Sequence, residues 1–288
     1  MERTRNHFIQ SLDRGLRILL AFSPSRTKLT LTDLAQATGM NKPAVQRLTD
    51  TLMALDFLRR TRHKEFYLGP KLLNLGYICQ QSYEFREVAR ESIRRFSDRT
   101  GHTVNLAVLD GTEVVVLYRR QVGTFYKFDV HAGSNLPSYC TALGKVLLAA
   151  LPDEELQTRL STMTLTSLTP KTITDADVLW QELMVTRQRG YSICDRESSV
   201  VLYSIGAPIL DHRSLVLASF NISLFAETTD QASREDFTQQ LLEEGRQLSA
   251  ILGYVGPYPI IPVGVITDDD ISKPNRGQRP DDTTRGRI

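Results

Sequence analysis

Lys42, Gln46 and Arg47 stand within six residues of one another, with Pro43 among them. On the first turns of a helix such side chains read base edges. Glutamine matches the neighbouring acceptor and donor of adenine, and arginine or lysine matches O6 and N7 of guanine. A basic run follows at Arg59, Arg60, Arg62, His63 and Lys64, suited to lie along phosphates or to probe a minor groove. A second set contains the makings of a nucleophile and a base: Cys140 and Cys194 with His131, His212 and several aspartates. No GxSxG, P-loop, HExxH or GxGxxG surrounds them, so the expectation is a protein that is not an enzyme, with a cysteine-dependent enzyme as the alternative. Cys79, Cys140 and Cys194 are widely separated, with no CxxC pair and no histidine at ligand spacing. That argues against a disulfide framework or a zinc module, fits a reducing cytoplasm, and leaves no metal or cofactor expected.

The elements that must position these groups are written in the apolar spacing. Ile9, Leu12, Leu16, Leu19 and Leu20 predict an amphipathic helix over 9–22, with Ser11 as its cap. Thr32, before Asp33, caps a second helix that packs Leu34, Ala35 and Ala37 and ends at Gly39. Asn41, with Pro43 in the first turn, opens a third over 42–55. Its inward stripe is Val45, Leu48, Leu52 and Leu55, and its open face carries Lys42, Gln46, Arg47 and Asp50. Short strands at 57–58 and 66–68 frame the basic turn, and Gly69 and Pro70 close the unit. Two helices joined by a short turn and followed by a basic hairpin describe a winged helix-turn-helix, whose partner is DNA, although such units also mediate protein contacts.

Helical spacing resumes at 71–80 and 85–99. A hairpin over 103–109 and 113–118 follows, then a strand at 125–130, helices at 141–150, after Pro152 and at 175–189, strands at 191–194, 203–210 and 215–222, and a helix at 231–252. The fold class is α+β, with an antiparallel sheet in the second domain. The divisions read as a DNA-binding domain over 1–69, a linker helix over 70–84, an effector-binding domain over 85–257 and a disordered tail over 258–288.

With 288 residues, 41% apolar and 24% charged, the chain has a globular composition and a length that suits two domains. Its formal net charge of +2 conceals an imbalance. Residues 1–80 hold 13 Lys and Arg against 6 Asp and Glu, a net of +7, which leaves −5 on the remainder. Positive charge gathered on a small unit is the footprint of phosphate binding. No apolar run approaches the 18 or so residues of a membrane span, so no membrane partner is expected and the location is cytoplasmic.

The segments IQSLDRGLRILLAF, LTLTDLAQATGMNKPAVQRLTDTLMALDFLRR, YLGPKLLNLG, HAGSNLPSYCTALGKVLLAAL, RQRGYSICD and IGAPILD resemble, in order and spacing, the IclR family of bacterial transcriptional regulators. The resemblance spans roughly residues 9 to 253. It implies a winged helix-turn-helix on a double-stranded DNA operator, a linker helix, a GAF-like effector-binding domain with a central antiparallel sheet, and a dimer or a dimer of dimers. It also implies an effector pocket built from Phe125 and Phe128 on a strand, Ala142 and Leu143 at a helix start, Asp195, Ser204, and Asn221 with Ser223 on the last strand. For DNA it carries over to Lys42, Pro43, Gln46, Arg47, Arg60 and Arg62. The chain departs from the family pattern where Pro43 and Ala44 replace Ser and Thr, Gln46 replaces His, Ser204 replaces Cys, and Cys194 takes a site that is often acidic. The segment PSYCTALGKVLLAAL resembles regulators of aromatic-acid catabolism and implies a small aromatic carboxylate as effector, a short 2-oxo acid being the alternative. Amides near Thr141, together with Arg119, Arg120 and His131, are candidate carboxylate partners. On the plainer reading the two phenylalanines are core and the basic pair is solvated surface.

Overall fold

Thr30 and Asp33 form a reciprocal cap. The Thr30 hydroxyl accepts from the Asp33 amide at 3.2 Å, and the Asp33 carboxylate accepts from the Thr30 amide at 2.8 Å. The cap therefore lies two residues before the expected Thr32. In the computed structural model, which describes residues 8–81, 85–122 and 130–265, the chain divides into two units, Met1–Ser82 and Tyr83–Ile288.

The first unit holds α1 (Gln10–Leu20), α2 (Leu31–Thr38), α3 (Lys42–Ala54), β1 (Leu58–Arg60), β2 (Phe66–Leu68) and α4 (Lys71–Gln81). Ile18, Leu29, Leu34, Val45, Leu58 and Phe66 make its core. The α1 stripe differs from expectation: Leu19 packs on this core, but Ile9, Leu12, Leu16 and Leu20 are 50–80% exposed and Ile18 is the buried contact. Helical spacing reveals that an apolar face exists, not which surface covers it. Ser11 likewise makes no cap, since the helix starts at Gln10 after Ile9. Ala37 and Leu55 face outward, and Thr49, a polar residue, takes the inward place on α3 with its hydroxyl bonded to the Gln46 carbonyl at 2.9 Å. Gly69 lies against Asp56, whose carbonyl oxygen would be 2.1 Å from a Cβ, so only glycine closes the hairpin there.

In the second unit the sheet order is β5 (Asn135–Pro137), β4 (Glu113–Arg120), β3 (Thr103–Asp110), β8 (Val216–Phe225), β7 (Leu202–Leu210), β6 (Ser192–Asp195), all neighbours antiparallel. On one face Tyr203, Ile205, Ala207 and Ile209 of β7 join Phe220 and Ile222 of β8 against α5 (Phe85–Thr100) and α9 (Gln231–Ile251). On the other lies α6 (Ala142–Ala149), with α7 (Asp153–Thr162) and α8 (Ala176–Arg189) sharing its core. Because helices cover both faces, the interior strand β7 is apolar nearly throughout. Every residue of α6 is buried, as a helix apolar on all sides requires.

β5 was not foreseen from the sequence, and residues 125–129 of the expected strand at 125–130 fall outside the described residues. The tail expected from 258 is packed as far as Val265. Ile261 is buried, the Tyr258 hydroxyl donates to the Pro208 carbonyl at 2.8 Å, and the Gly264 amide donates to the Ala150 carbonyl at 2.7 Å. Ile260, Ile261 and Val263 give this stretch the apolar surface that a tail lacks; residues 266–288 fall outside the described part.

Candidate nucleic-acid interface and effector pocket

Asn41 caps α3 by accepting from the Ala44 amide at 2.9 Å, and Val45 and Thr49 root the helix in the core. That leaves Lys42, Pro43 and Arg47 exposed on its first turns. Gln46 is half-buried, and its amide nitrogen donates to Asp50 at 2.7 Å, so reading adenine would require it to leave that partner. In the wing, Arg59 pairs with Tyr67 across the hairpin, and the Arg60 guanidinium lies over the Phe66 ring at 5.2 Å. Arg62 and Lys64 are exposed at the tip, Lys64 in the left-handed region at φ 65°.

The second unit contains a cavity of about 250 Å³ between the sheet and the amino end of α6. Ala142, Leu143, Ser204, Asn221 and Ser223 all line it. Phe125 and Phe128 lie outside the described residues. Asp195 does not reach the cavity. On β6 it stands opposite Tyr203, on the α5/α9 side, whereas Cys194 and Ser204 share the α6 side. Its carboxylate pairs instead with Lys171 and, at 3.7 Å, with Arg196.

The first turn of α6 is fixed by side chains from the sheet. Ser192 donates to the Ala142 carbonyl at 2.7 Å, Ser219 to that of Leu143 at 2.9 Å, and the Cys194 thiol to that of Cys140 at 3.0 Å. Gly206 of β7 leaves room for this approach, because a Cβ there would lie 2.6 Å from the Ala142 oxygen. Farther along the helix, Lys145 is wholly buried, with Glu197 at 2.5 Å and Glu182 at 3.4 Å. Thr169 and Thr172 hold the carbonyls of Arg196 and Glu197 at 2.6 and 2.7 Å. This bracing sets the loop whose next residues, Ser198 and Ser199, form another wall of the cavity.

Sequence reasoning overlooked Asn105; of the three candidate carboxylate partners it offered, Arg119, Arg120 and His131, only Arg119 lines the cavity. Asn105 faces Arg119 across β3–β4 and Asn221 across β3–β8. Arg119 donates to Asn105 at 2.7 Å, and Asn105 donates to Asn221 at 2.8 Å. Burial holds the Arg119 pKa below its ordinary value. The signal available was a lone polar residue inside the apolar run TVNLAVL; the bulge between Leu106 and Ala107 is what sets it opposite Arg119 rather than Tyr118. Arg120 pairs with Asp98 at 2.7 Å instead, and His131 sits exposed in a turn. The buried thiols are pushed up, Cys140 to about 12 and Cys194 to about 11, and neither His131 nor His212, both exposed, shows a hydrogen bond to them.

Sequence models match along both units: the IclR helix-turn-helix domain over residues 11–62 and the bacterial transcriptional regulator IclR C-terminal domain over 79–250. The HTH-type transcriptional regulator XynR of Escherichia coli is 32% identical, the match covering 85% of this chain and 98% of that protein. The p-hydroxybenzoate hydroxylase transcriptional activator of Acinetobacter baylyi is 31% identical over 74% of this chain and 80% of its own. The crystal structure of a transcriptional regulator from Rhodococcus sp. RHA1 superposes with a TM-score of 0.74 at 31% identity, covering 85% of this chain and 98% of that one. With a winged helix in the first unit and the family's second domain matched over residues 79–250, the chain belongs to the IclR family of DNA-binding transcriptional regulators.

Proposed function

We propose that the protein binds a pseudo-palindromic operator as a homodimer, or as a pair of dimers, and changes its operator affinity when a small aromatic carboxylate fills the cavity of the second unit. The observation that carries this reading is the cavity itself: walled by Leu136, Leu143, Leu168 and Leu202, and with no acidic side chain among its described lining residues. It lies at the amino end of α6, where the helix dipole favours an anion. The A. baylyi relative, an activator for p-hydroxybenzoate hydroxylase, supports the aromatic class. The small volume favours a second reading, a short 2-oxo acid. Exposed Leu12, Leu16 and Leu20 on α1 and Leu73 and Tyr77 on α4 suit self-association. Catalysis forms no part of the proposal, since buried, protonated thiols do not attack. A cytoplasmic location is proposed with it; among the described residues no helix is long and apolar enough to cross a membrane.

The test is a thermal-shift panel of hydroxybenzoates and 2-oxo acids, followed by operator footprinting with and without the best ligand. A ligand at 100 times its Kd stabilises by about 2.7 kcal/mol and should raise the melting temperature of the second unit by roughly 5–11 °C. Operator affinity should change about 5- to 150-fold. Shifts with 2-oxo acids alone would overturn the aromatic class. Protection of DNA without sequence preference would overturn the specific regulator.

A further inference from the structure

Arg119, Asn105 and Asn221 lie side by side on β4, β3 and β8, on the face of the sheet that floors the cavity. Their chemistry fixes the direction of every hydrogen bond between them. A guanidinium donates only, so Asn105 must turn its carbonyl oxygen toward Arg119, at 2.7 Å. Its amide nitrogen is then the group that meets Asn221, at 2.8 Å, and must find that residue's oxygen. The Asn221 nitrogen in turn faces the Ser223 hydroxyl oxygen, at 3.3 Å. Having accepted there, Ser223 has its proton left to give. The row thus runs one way and ends in a donor that lines the cavity. At its other end the Arg119 Nε is buried and has no acceptor among the described residues.

We propose that this row makes the pocket selective for an ionised carboxylate, with Arg119 as the residue that receives it and Ser223 as a second donor. The proposal rests on the effector reading above and moves the anion's principal contact from the α6 amides to the sheet. A partly desolvated guanidinium with no carboxylate partner among the described residues is costly until an anion arrives, and charge-assisted bonds of this kind are about twice as strong as neutral ones. A neutral ligand of the same shape offers the arginine only a dipole.

The experiment measures binding of benzoate, 4-hydroxybenzoate and pyruvate to the full chain, each beside its primary amide. Wild-type protein should bind at least one acid well and its amide much more weakly. Arg119→Gln should weaken that acid about 10- to 150-fold and leave the amide nearly unchanged, with Arg119→Lys intermediate. Asn105→Asp is the second variant: its carboxylate pairs with Arg119, obliges Asn221 to turn its amide nitrogen inward, and frees the Asn221 oxygen to capture the Ser223 proton. Acid binding should be lost although the fold keeps a satisfied row. Unliganded melting temperature and operator binding report that each variant is folded. Equal acid binding by wild type and Arg119→Gln would overturn the inference and leave the effector reading standing. Amides that bind wild type as well as acids do would overturn it too. Failure of all three acids and their amides to bind wild type would overturn both.

Discussion

Replacing Lys145 with methionine removes one partner from a pair that the second unit encloses completely. Lys145 has no exposed surface, and Glu197 is nearly as buried. Taking one charge away strands the other, which typically costs about 3–5 kcal/mol. For a unit of this size that is a fall of roughly 6–20 °C in melting temperature. Glu197→Gln should cost less, because Lys145 keeps Glu182 at 3.4 Å and the Ile193 carbonyl at 3.5 Å. The two variants also differ with pH. Burial already raises the Glu197 pKa above 4.5, while Lys145 opposes the rise, so Lys145→Met raises it further. A carboxyl whose folded pKa is raised binds its proton more tightly in the native state. Stability is therefore greatest at low pH and is lost as pH climbs from about 4.5 through the folded value. The Lys145→Met penalty should accordingly be small near pH 5 and grow toward pH 8. The assay is guanidinium unfolding followed by the fluorescence of Trp180, the single tryptophan, which packs beside this core on α8. A loss below about 1 kcal/mol, or one that does not change between pH 5 and 8, would refute the reasoning.

Arg47→Ala should cost about 1–3 kcal/mol on the best operator and little on random DNA, whereas Arg62→Ala should weaken both and lower the salt slope by about one; competition binding at several salt concentrations separates the two. Ser204→Leu should fill the cavity and abolish the ligand response while leaving unliganded operator binding intact, as titrations with and without the ligand found by screening will show. Gly206→Ala should destabilise by about 1–3 kcal/mol and weaken effector binding, because backbone at Ala142 must move to admit the methyl group; equilibrium unfolding and a ligand titration read the two effects.

Element types were largely legible, because apolar spacing and local caps are local facts. Asn41, Gly39 and the fixed ring of Pro43 announce α3 without help from the rest of the chain. The missed cap shows the limit: Thr30 and Thr32 both precede the apolar positions, and only Thr30 places Asp33 at the third helical residue, which completes the reciprocal bond. The α1 stripe failed for a different reason, since periodicity records that a surface is apolar and is silent about what covers it. In the pocket, Ala142, Leu143, Ser204, Asn221 and Ser223 came from family resemblance, which transfers positions without testing orientation. Asp195 shows what that omits: strand alternation turns it to the opposite side of the sheet from its neighbour Cys194. Asn105 and Arg119 could be joined only through strand register, which depends on the bulge between Leu106 and Ala107.

The total burial of α6 bears on how such a sensor can change over evolutionary time. A helix with no solvent face, its first carbonyls held by two strands, should release its amide protons to exchange only when the whole second unit opens. It therefore supplies a fixed frame of reference at one end of the cavity. New ligand preferences can arise by exchanging side chains on the surrounding strand ends and loops, one at a time, while the frame against which they are measured stays where it is.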